Sequence, residues 1–238
     1  MTKNNMSNKS AVFLKPVTWV VKMFFRILCK IDTTQLSKIP MQGPAIIMGN
    51  HINFLDSPIM YSNLFPRQMT GFAKVETWKN PFLGRLFTLW GFIPIRRGEA
   101  DLKAFKTASQ ALNDNKFMTI APEGTRSHDG KLQKGHPGIV LLAIRSGVPI
   151  IPIGINGIEN FEKNLRRFKR TPFNIEVGIP FRLDTQGKAL SREVREQITT
   201  EVMYQLAALL PPQNRGVYHD LSKASEDYIV FDSRDNSN

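Results

Sequence analysis

The chain has 238 residues, 42% of them hydrophobic, which is enough for one large domain or two small ones with a buried core. Its single cysteine, Cys29, excludes an intramolecular disulfide and favours a reducing compartment. The formal net charge of +12 predicts an anionic partner, either a nucleic acid, an anionic membrane surface, or an acidic carrier or substrate.

The first 30 residues carry six basic side chains and no acidic one. Residues 17–29, VTWVVKMFFRILC, mix aromatic and aliphatic side chains with Lys22 and Arg26, which share a helix face because they are four apart. This run is too short to cross a bilayer and has no small-residue cleavage site of a signal peptide. We interpret residues 1–32 as a basic amphipathic helix lying in a membrane interface. The alternative is a helix packed on the domain, and one helix can do both.

The next segment, residues 33–212, is predicted to be an α/β domain. Polar, turn-prone residues at 33–43 indicate a linker into the first strand, after which short apolar runs alternate with helical patterns. The predicted strands are 45–49, 69–74, 91–95, 117–121, 149–155 and 174–177, and the predicted helices are 57–64, 82–90, 99–113, 138–146 and 191–210. This alternation predicts a single domain with a largely parallel central sheet flanked by helices.

The last segment, residues 213–238, has the opposite charge balance from the N-terminus. From Gly216 onward it contains five acidic and two basic residues. We therefore expect an acidic, flexible, solvent-facing tail.

Residues 45–56, AIIMGNHINFLD, place a histidine and a carboxylate at the end of the first predicted strand. His51 falls in the turn after the strand, and Asp56 falls in or just before the first turn of the next helix. A carboxylate that accepts one ring N–H fixes the tautomer of a histidine and stabilises its imidazolium. His51 is thus a candidate general base with Asp56 as its partner. The alternative is a loop histidine beside a capping aspartate.

Four further charged residues follow predicted strands: Lys74, Arg97, Glu123 and Arg126. Ligands of open α/β sheets bind outside the carboxyl ends of the strands, so we expect these residues to gather around His51. Three cations facing one cleft would suit a phosphate or another dianion. Glu123 would pair with an arginine or accept a substrate hydroxyl. Taken singly, each of them is also compatible with a solvated loop charge.

Other chemistries have no signature in this sequence. It has no Gly-x-Ser-x-Gly elbow, no Gly-x4-Gly-Lys loop and no Gly-x-Gly-x-x-Gly fingerprint. Its histidines and its cysteine are not spaced as metal ligands, so we expect no metal and no cofactor. His136 is interpreted as a loop residue, with substrate contact as a secondary interpretation.

Four segments, in order, resemble the glycerophospholipid acyltransferase superfamily, which includes the 1-acylglycerol-3-phosphate acyltransferases. They are Asn-His-x4-Asp at 50–56, Gly-x-x-Pro-x-x-Arg at 91–97, Pro-Glu-Gly-Thr-Arg-Ser at 122–127 and Val-Pro-Ile-x-Pro at 148–152. Lys74-x-Glu76 and residues 80–84 also resemble the family. Arg96 departs from the family pattern, because members often carry an acidic residue before the arginine of the second segment, and this departure adds positive charge.

The resemblance implies transfer of a fatty acyl group from a thioester to the sn-2 hydroxyl of 1-acylglycerol-3-phosphate (lysophosphatidic acid), giving phosphatidic acid for phospholipid biosynthesis. The donor would be acyl-CoA or acyl carrier protein. His51 would take the hydroxyl proton and Asp56 would orient it. The implied substrate-binding residues are Lys74, Arg97 and Arg126 for the acceptor phosphate, and Glu123, Gly124 and Thr125 around the glycerol.

Three alternatives stay open at this point. The acceptor can be another lysophospholipid or an aminolipid, or the chain can be an acyltransferase-like scaffold without activity. It can also be a non-catalytic membrane- or nucleic-acid-binding protein that uses a basic cluster with interleaved aromatics, namely Phe161, Lys163, Arg166, Arg167, Phe168, Lys169 and Arg170. We expect peripheral attachment to the cytoplasmic face of the cell membrane, an anionic surface, through the N-terminal segment with the aid of basic residues near 163–170, and we expect no nucleic-acid partner.

Overall fold

A computed structural model describes residues 8–96 and 101–232 of the protein. Strands and helices alternate over most of these ranges, as the sequence predicts. The strands are β1 (Cys29–Ile31), β2 (Ala45–Gly49), β3 (Met69–Lys74), β4 (Ile93–Ile95), β5 (Phe117–Ile120), β6 (Ile150–Asn156), β7 (Thr171–Val177), β8 (Phe181–Leu183) and β9 (Ile229–Phe231). The helices are α1 (Asn8–Leu28), α2 (Asp56–Leu64), α3 (Pro81–Leu89), α4 (Leu102–Asn113), α5 (Gly138–Ser146), α6 (Phe161–Arg166) and α7 (Arg192–Ala207).

The strands form one sheet with the order β1-β7-β6-β2-β5-β3-β4, and β8 and β9 extend it from β6. Pairing is parallel from β6 through β2, β5 and β3 to β4, and β1 is parallel to β7. Only the pairs β6–β7, β6–β8 and β8–β9 are antiparallel among the described residues. The predicted α/β domain with a largely parallel sheet is confirmed. Because β6, β2, β5, β3 and β4 run the same way, their carboxyl ends meet at one edge of the sheet.

The strand β2 lies at the centre and is buried on both faces, which explains its uninterrupted apolar sequence. Ile47 packs into a core formed with α1, α2 and α3. Ile46 and Met48 point to the opposite core, which is formed with α4, α5 and α7. The strand that leads to His51 is therefore packed between two apolar layers.

Several short elements differ from the predictions. The strands β1, β8 and β9 have only three residues each and the helix α6 only six, so none carries enough periodicity to be recognised. The predicted linker at 33–43 contains a 3₁₀ helix, Thr34–Lys38, with Leu36 buried. The helix predicted over 99–113 begins at Leu102, and residues 97–100 lie outside the described ranges.

The prediction of a solvent-facing tail after residue 212 is wrong for residues 213–232. Tyr218, Tyr228 and Ile229 are buried in the core beside α7, and β9 pairs with β8. The carboxylate of Glu201, only 1% exposed, accepts hydrogen bonds from the Tyr228 N–H and the Ser225 hydroxyl, each at 3.0 Å. The acidic composition led to the wrong prediction because it is an average over the whole segment. This average hides the few apolar residues that anchor the segment to the core. Residues 233–238 lie outside the described ranges.

The helix α1 has a packed side and an exposed side. Thr18 is 1% exposed and its hydroxyl accepts a hydrogen bond from the Trp90 indole at 3.0 Å, while Phe25 is buried in the core. Large apolar side chains nevertheless remain exposed along the helix, notably Trp19 and Phe24. Within the described ranges, no helix combines the length and apolar character needed to span a bilayer. The helix is thus anchored to the domain and still presents apolar surface to its surroundings.

Replacing Glu201 tests how the segment after α7 is held. We expect Glu201→Ala to lower the free energy of unfolding by about 1–3 kcal/mol, because it leaves the buried Tyr228 N–H without an acceptor. Glu196→Ala on the same helix is the matched control. Its carboxylate forms only an exposed ion pair with Arg192, worth roughly 0–1 kcal/mol. Urea denaturation followed by circular dichroism measures both, and equal effects would contradict the anchoring role.

Candidate active site

The chain leaves the sheet at Gly49, and the next side chain fixes its path. Asn50 is 5% exposed; its amide N–H donates to the Ile155 carbonyl at 2.8 Å, and its amide oxygen accepts from the Ile155 N–H at 2.7 Å. These two bonds continue the pairing of β2 with β6 beyond the strand end. The backbone that carries His51 is therefore positioned before the loop begins.

His51 and Asp56 form a partly buried hydrogen-bonded pair. His51 Nδ1 lies 2.9 Å from Asp56 Oδ2, and the side chains are 12% and 5% exposed. Because an ionised carboxylate only accepts, Nδ1 carries the proton and Nε2 is left as the acceptor. The structure thus has His51 in the turn and Asp56 as the first residue of α2, which is the arrangement that the spacing predicts.

The same oxygen of Asp56 also organises the loop backbone. Asp56 Oδ2 accepts from the N–H groups of Ile52 at 2.7 Å and Asn53 at 2.9 Å. The carboxylate is consequently held by main-chain donors as well as by the imidazole. Of the two interpretations that the sequence left open, the structure supports the histidine partner, because the N–H groups that Asp56 binds precede α2 and are not those of its first turn.

Glu123 is buried against the backbone of this loop. It is 1% exposed; one carboxylate oxygen accepts from the His51 N–H at 2.8 Å and the other from the Gln133 N–H at 2.9 Å. The Ser127 N–H in turn donates to the His51 carbonyl at 2.8 Å. Within the described residues no arginine pairs with Glu123, and backbone N–H groups bind both of its oxygens instead. Residues 122–127 instead hold the main chain of His51 on both sides.

Burial raises the pKa of Glu123 to about 7, and the nearby negative charges of Asp56 and Asp129 act in the same direction. The N–H groups of Gln133 and His51 oppose this rise because they favour the ionised carboxylate. Desolvation outweighs them. The carboxyl group that positions His51 thus titrates near neutral pH.

A cavity of about 260 Å³, which we call the apolar cavity, opens beside the pair. His51, Asp56, Gly124 and His136 contribute to its wall, and most of the other lining side chains are apolar. Gly124 has φ +65°, and a Cβ there would lie 3.0 Å from His136 Cδ2, so both its conformation and its space require glycine. His136 donates its backbone N–H to the Pro122 carbonyl at 2.8 Å. No local pattern around His136 indicates its place in the cavity wall, because that place depends on this long-range contact.

A second cavity, of about 790 Å³, is lined by other residues of the His51 loop, and we call it the basic cavity. Asn53 and Phe54 line it from that loop, and Arg126 lines it from the segment after β5. Its remaining wall comes from the region of α6, with the cations Lys163, Arg166 and Arg167 and the acidic residues Glu159 and Glu162. The sequence analysis treated the basic cluster as a separate binding surface. In the structure, part of this cluster shares a cavity with the loop that carries the candidate general base.

The remaining predicted site residues are Lys74, Thr125 and Arg97. Lys74 is exposed at the end of β3 and lines neither cavity, and Thr125 is exposed next to Arg126. Arg97 lies outside the described residues. Among the described residues, Arg126 groups with the cations of α6 and not with Lys74. Within the described ranges no group of three histidine, cysteine, aspartate or glutamate residues is placed to hold a metal ion.

Comparison with known proteins establishes the family. Residues 30–156 match the family model described as Acyltransferase. A 1-acyl-sn-glycerol-3-phosphate acyltransferase from Salmonella typhimurium is 31% identical over 169 residues, which are 69% of this chain and 68% of that protein. The chain belongs to the acyltransferase family.

Two further similarities bear on length and fold. A 1-acyl-sn-glycerol-3-phosphate acyltransferase from Limnanthes douglasii is 33% identical over 144 residues, which are 59% of this chain. The chain spans about half the length of this protein and of other relatives that it matches. The crystal structure of the 1-acyl-sn-glycerophosphate acyltransferase PlsC from Thermotoga maritima has a TM-score of 0.61 over 85% of this chain and 80% of that one, at 23% identity. It has the same fold.

The raised pKa of Glu123 predicts a pH dependence of stability. Between about pH 4.5 and pH 7 the folded protein keeps a proton that the unfolded chain releases, so stability should fall as pH rises through this window and level off above it. The contribution is on the order of 2–3 kcal/mol. Glu123→Gln cannot titrate and should lack this part of the decline. Urea denaturation of both proteins at pH 5 and pH 8 measures the difference, and parallel pH profiles would show that Glu123 does not titrate there.

Proposed function

We propose that the protein transfers a fatty acyl group from a thioester donor to the sn-2 hydroxyl of lysophosphatidic acid, giving phosphatidic acid. The observation that carries this proposal is the His51–Asp56 pair, joined at 2.9 Å, in a loop that lines the apolar cavity with His51 and Asp56 and the basic cavity with Asn53 and Phe54. The phosphate of the acceptor requires a cationic environment, and the acyl chain of the donor requires an apolar one. The acyltransferase family and the names of the relatives support the same reaction.

The chemistry uses His51 as a general base. Its Nε2 removes the proton of the acceptor hydroxyl while the hydroxyl oxygen attacks the thioester carbonyl carbon. The tetrahedral intermediate then expels the thiolate, which takes the proton back from the imidazolium. Asp56 keeps Nδ1 protonated and stabilises the positive charge that His51 carries between the two steps. No covalent acyl-enzyme is required.

The apolar cavity would hold the acyl chain of the donor. Its wall includes Met60 and Leu64 from α2 and Phe72 and Phe105 from the region of β3 and α4. Burying each methylene of the chain contributes about 0.8 kcal/mol. Since His51 lies in the same wall, a chain bound there would bring the thioester carbonyl to the general base.

The basic cavity would hold the phosphate of the acceptor. Arg126 and the α6 cations Lys163, Arg166 and Arg167 surround it, and arginine suits phosphate because its guanidinium donates two parallel hydrogen bonds. Asn53, two residues after His51, lines the same cavity. The short glycerol backbone would then span the distance from the phosphate to Nε2. Lys74 and Arg97 remain predicted phosphate contacts.

The protein would reach its lipid substrates by peripheral attachment to the cytoplasmic face of the membrane. The helix α1 exposes Trp19, Val20, Phe24 and Ile27, and Lys15 and Arg26 are exposed on it as well. Such a combination favours the interface of an anionic bilayer. No nucleic-acid partner is expected.

Loss of the general base tests the reaction. We expect His51→Ala and Asp56→Asn to lower kcat by about 10²–10⁴-fold, because the first removes the proton acceptor and the second removes the charge that stabilises it. Asparagine can still accept the backbone N–H bonds of the loop. His219→Ala, an exposed histidine outside the site, is the control and should match the wild type.

The assay should combine acyl-CoA and acyl carrier protein donors with a panel of lysophospholipid and aminolipid acceptors, read by mass spectrometry of the products. Circular dichroism establishes that each variant is folded. Near-wild-type turnover of a folded His51→Ala protein would reject the mechanism. A preference for another acceptor would retain the mechanism and change the substrate.

Replacing Arg126 tests the assignment of the phosphate. We expect Arg126→Ala to raise the acceptor KM about 10- to 100-fold with little change in the donor KM, because a charge-assisted contact contributes about 1.5–3 kcal/mol. Arg192→Ala, which removes an exposed arginine on α7, should change neither constant. A rise confined to the donor KM would show that the basic cavity binds the carrier of the thioester instead. Lys74→Ala in the same assay tests the remaining sequence prediction.

A further inference from the structure

The end of α1 and the loop after α6 are joined by one side chain. The guanidinium Nη2 of Arg170 donates to the carbonyls of Arg26 at 2.6 Å and Cys29 at 2.7 Å. A cation at the last carbonyls of a helix satisfies them and complements the helix dipole. The parallel pairing of Cys29 with Thr171 continues the contact into the sheet. Residues 165–170, which we call the basic loop, therefore lie beside the C-terminal end of α1.

The basic loop, with the sequence LRRFKR, presents an aromatic side chain at its tip. Phe168 is 99% exposed and Leu165 is 46% exposed, and the other four residues are cations. Phe168 has φ +52°, which is uncommon for a residue with a side chain. Backbone hydrogen bonds close the turn around it, from Phe168 N–H to the Leu165 carbonyl at 3.1 Å and from Lys169 N–H to the Asn164 carbonyl at 2.9 Å. The fold thus holds this phenylalanine away from the core.

The apolar surface of α1 approaches the same place. Ile27, in the last turn of α1, is 68% exposed and directly follows Arg26, whose carbonyl binds Arg170. Trp19 and Phe24 extend the exposed apolar residues back along the helix. Two elements far apart in the sequence therefore bring exposed apolar side chains and cations to adjoining positions.

We propose that the basic loop is a second membrane-docking element, in which Phe168 inserts at the boundary between headgroups and acyl chains of an anionic bilayer. Arg166, Arg167 and Lys169 would bind the phosphates of the lipids around it. A bilayer is the occupant that matches both an apolar tip and flanking cations, and α1 supplies the same pair of properties next to it. An acidic protein surface would match the charge and leave the aromatic tip without a partner.

The docking geometry also bears on the proposed reaction, and this step rests on the proposed function. Arg166 and Arg167 line the basic cavity and directly precede Phe168. Insertion of Phe168 would therefore bring the opening of that cavity to the level of the headgroups. A lysophosphatidic acid molecule could then place its phosphate in the cavity while its acyl chain stays in the bilayer.

An environment-sensitive fluorophore on Phe168→Cys tests the insertion. Cys29, the single native cysteine, is fully buried, so the engineered thiol reacts selectively. We expect a blue shift and quenching by brominated lipids on vesicles of phosphatidylcholine with phosphatidylglycerol, and a much weaker response on phosphatidylcholine alone. Val217→Cys, at a residue that is 61% exposed and next to the core on the opposite face of the sheet, is the control and should show no shift.

Sedimentation with the same vesicles measures how much Phe168 contributes. We expect Phe168→Ser to weaken binding about tenfold, Trp19→Ser to weaken it as well, and Val217→Ser to leave it unchanged.

Unchanged binding by Phe168→Ser, or vesicle-bound protein without a blue shift at position 168, would overturn the proposal. So would Phe168-dependent binding of single-stranded oligonucleotides in the absence of vesicle binding, since Phe168 would then stack on bases. Because these assays contain no acyl donor, their outcome is independent of whether the acyltransferase reaction is correct.

Discussion

The position of His51 depends on the buried carboxylate of Glu123. Met48 pairs with Ile120, so the loops after β2 and β5 leave the sheet side by side, but the sheet alone does not align them. Glu123 joins them by accepting the His51 N–H, and Ser127 joins them again by donating to the His51 carbonyl. Glu123 thereby positions the main chain of His51, and Asp56 orients its ring. Its desolvation has an energetic cost, visible in its raised pKa, which the two N–H donors offset only in part.

The parts of the site that the sequence predicted are those whose partners are close in the chain. Asp56 binds the ring of His51 and the N–H groups of Ile52 and Asn53, all within five residues, so the spacing of the motif already contains the geometry. Glu123 binds an N–H group 72 residues away. Whether such a carboxylate faces a cavity or the backbone depends on how two loops meet, and no local pattern records this. The prediction for residues 213–232 was wrong for the same reason, because it also depended on long-range contacts. A few buried side chains hold this segment against the core although its average composition is polar and acidic.

The order of the strands explains why Lys74 does not line the cavity that contains Arg126. A sequence shows which residues follow strands, but it does not show which strands are neighbours. The strand β6 lies next to β2, which brings α6 and its cations to the His51 loop, whereas β3 and β4, which precede Lys74 and Arg97, lie beyond β5. As a consequence, the His51 loop borders two different cavities. The cations line the basic cavity, and mostly apolar side chains line the apolar cavity. For a substrate with a phosphate and an acyl chain, this separation sets the orientation in which it can bind.

Because α1 is attached rigidly to the domain, the proposed docking would hold the protein in one orientation on the membrane. A flexible basic arm would hold the protein near a membrane in many orientations. Here Thr18 is bonded to Trp90, and Arg170 is bonded to the carbonyls at the end of the helix, so α1 and the basic loop move with the domain. The plane through their apolar side chains is then fixed relative to His51. Under the proposed function, the bilayer that supplies the acceptor would also determine its angle of entry, and only the headgroup would have to leave the membrane for the reaction to occur.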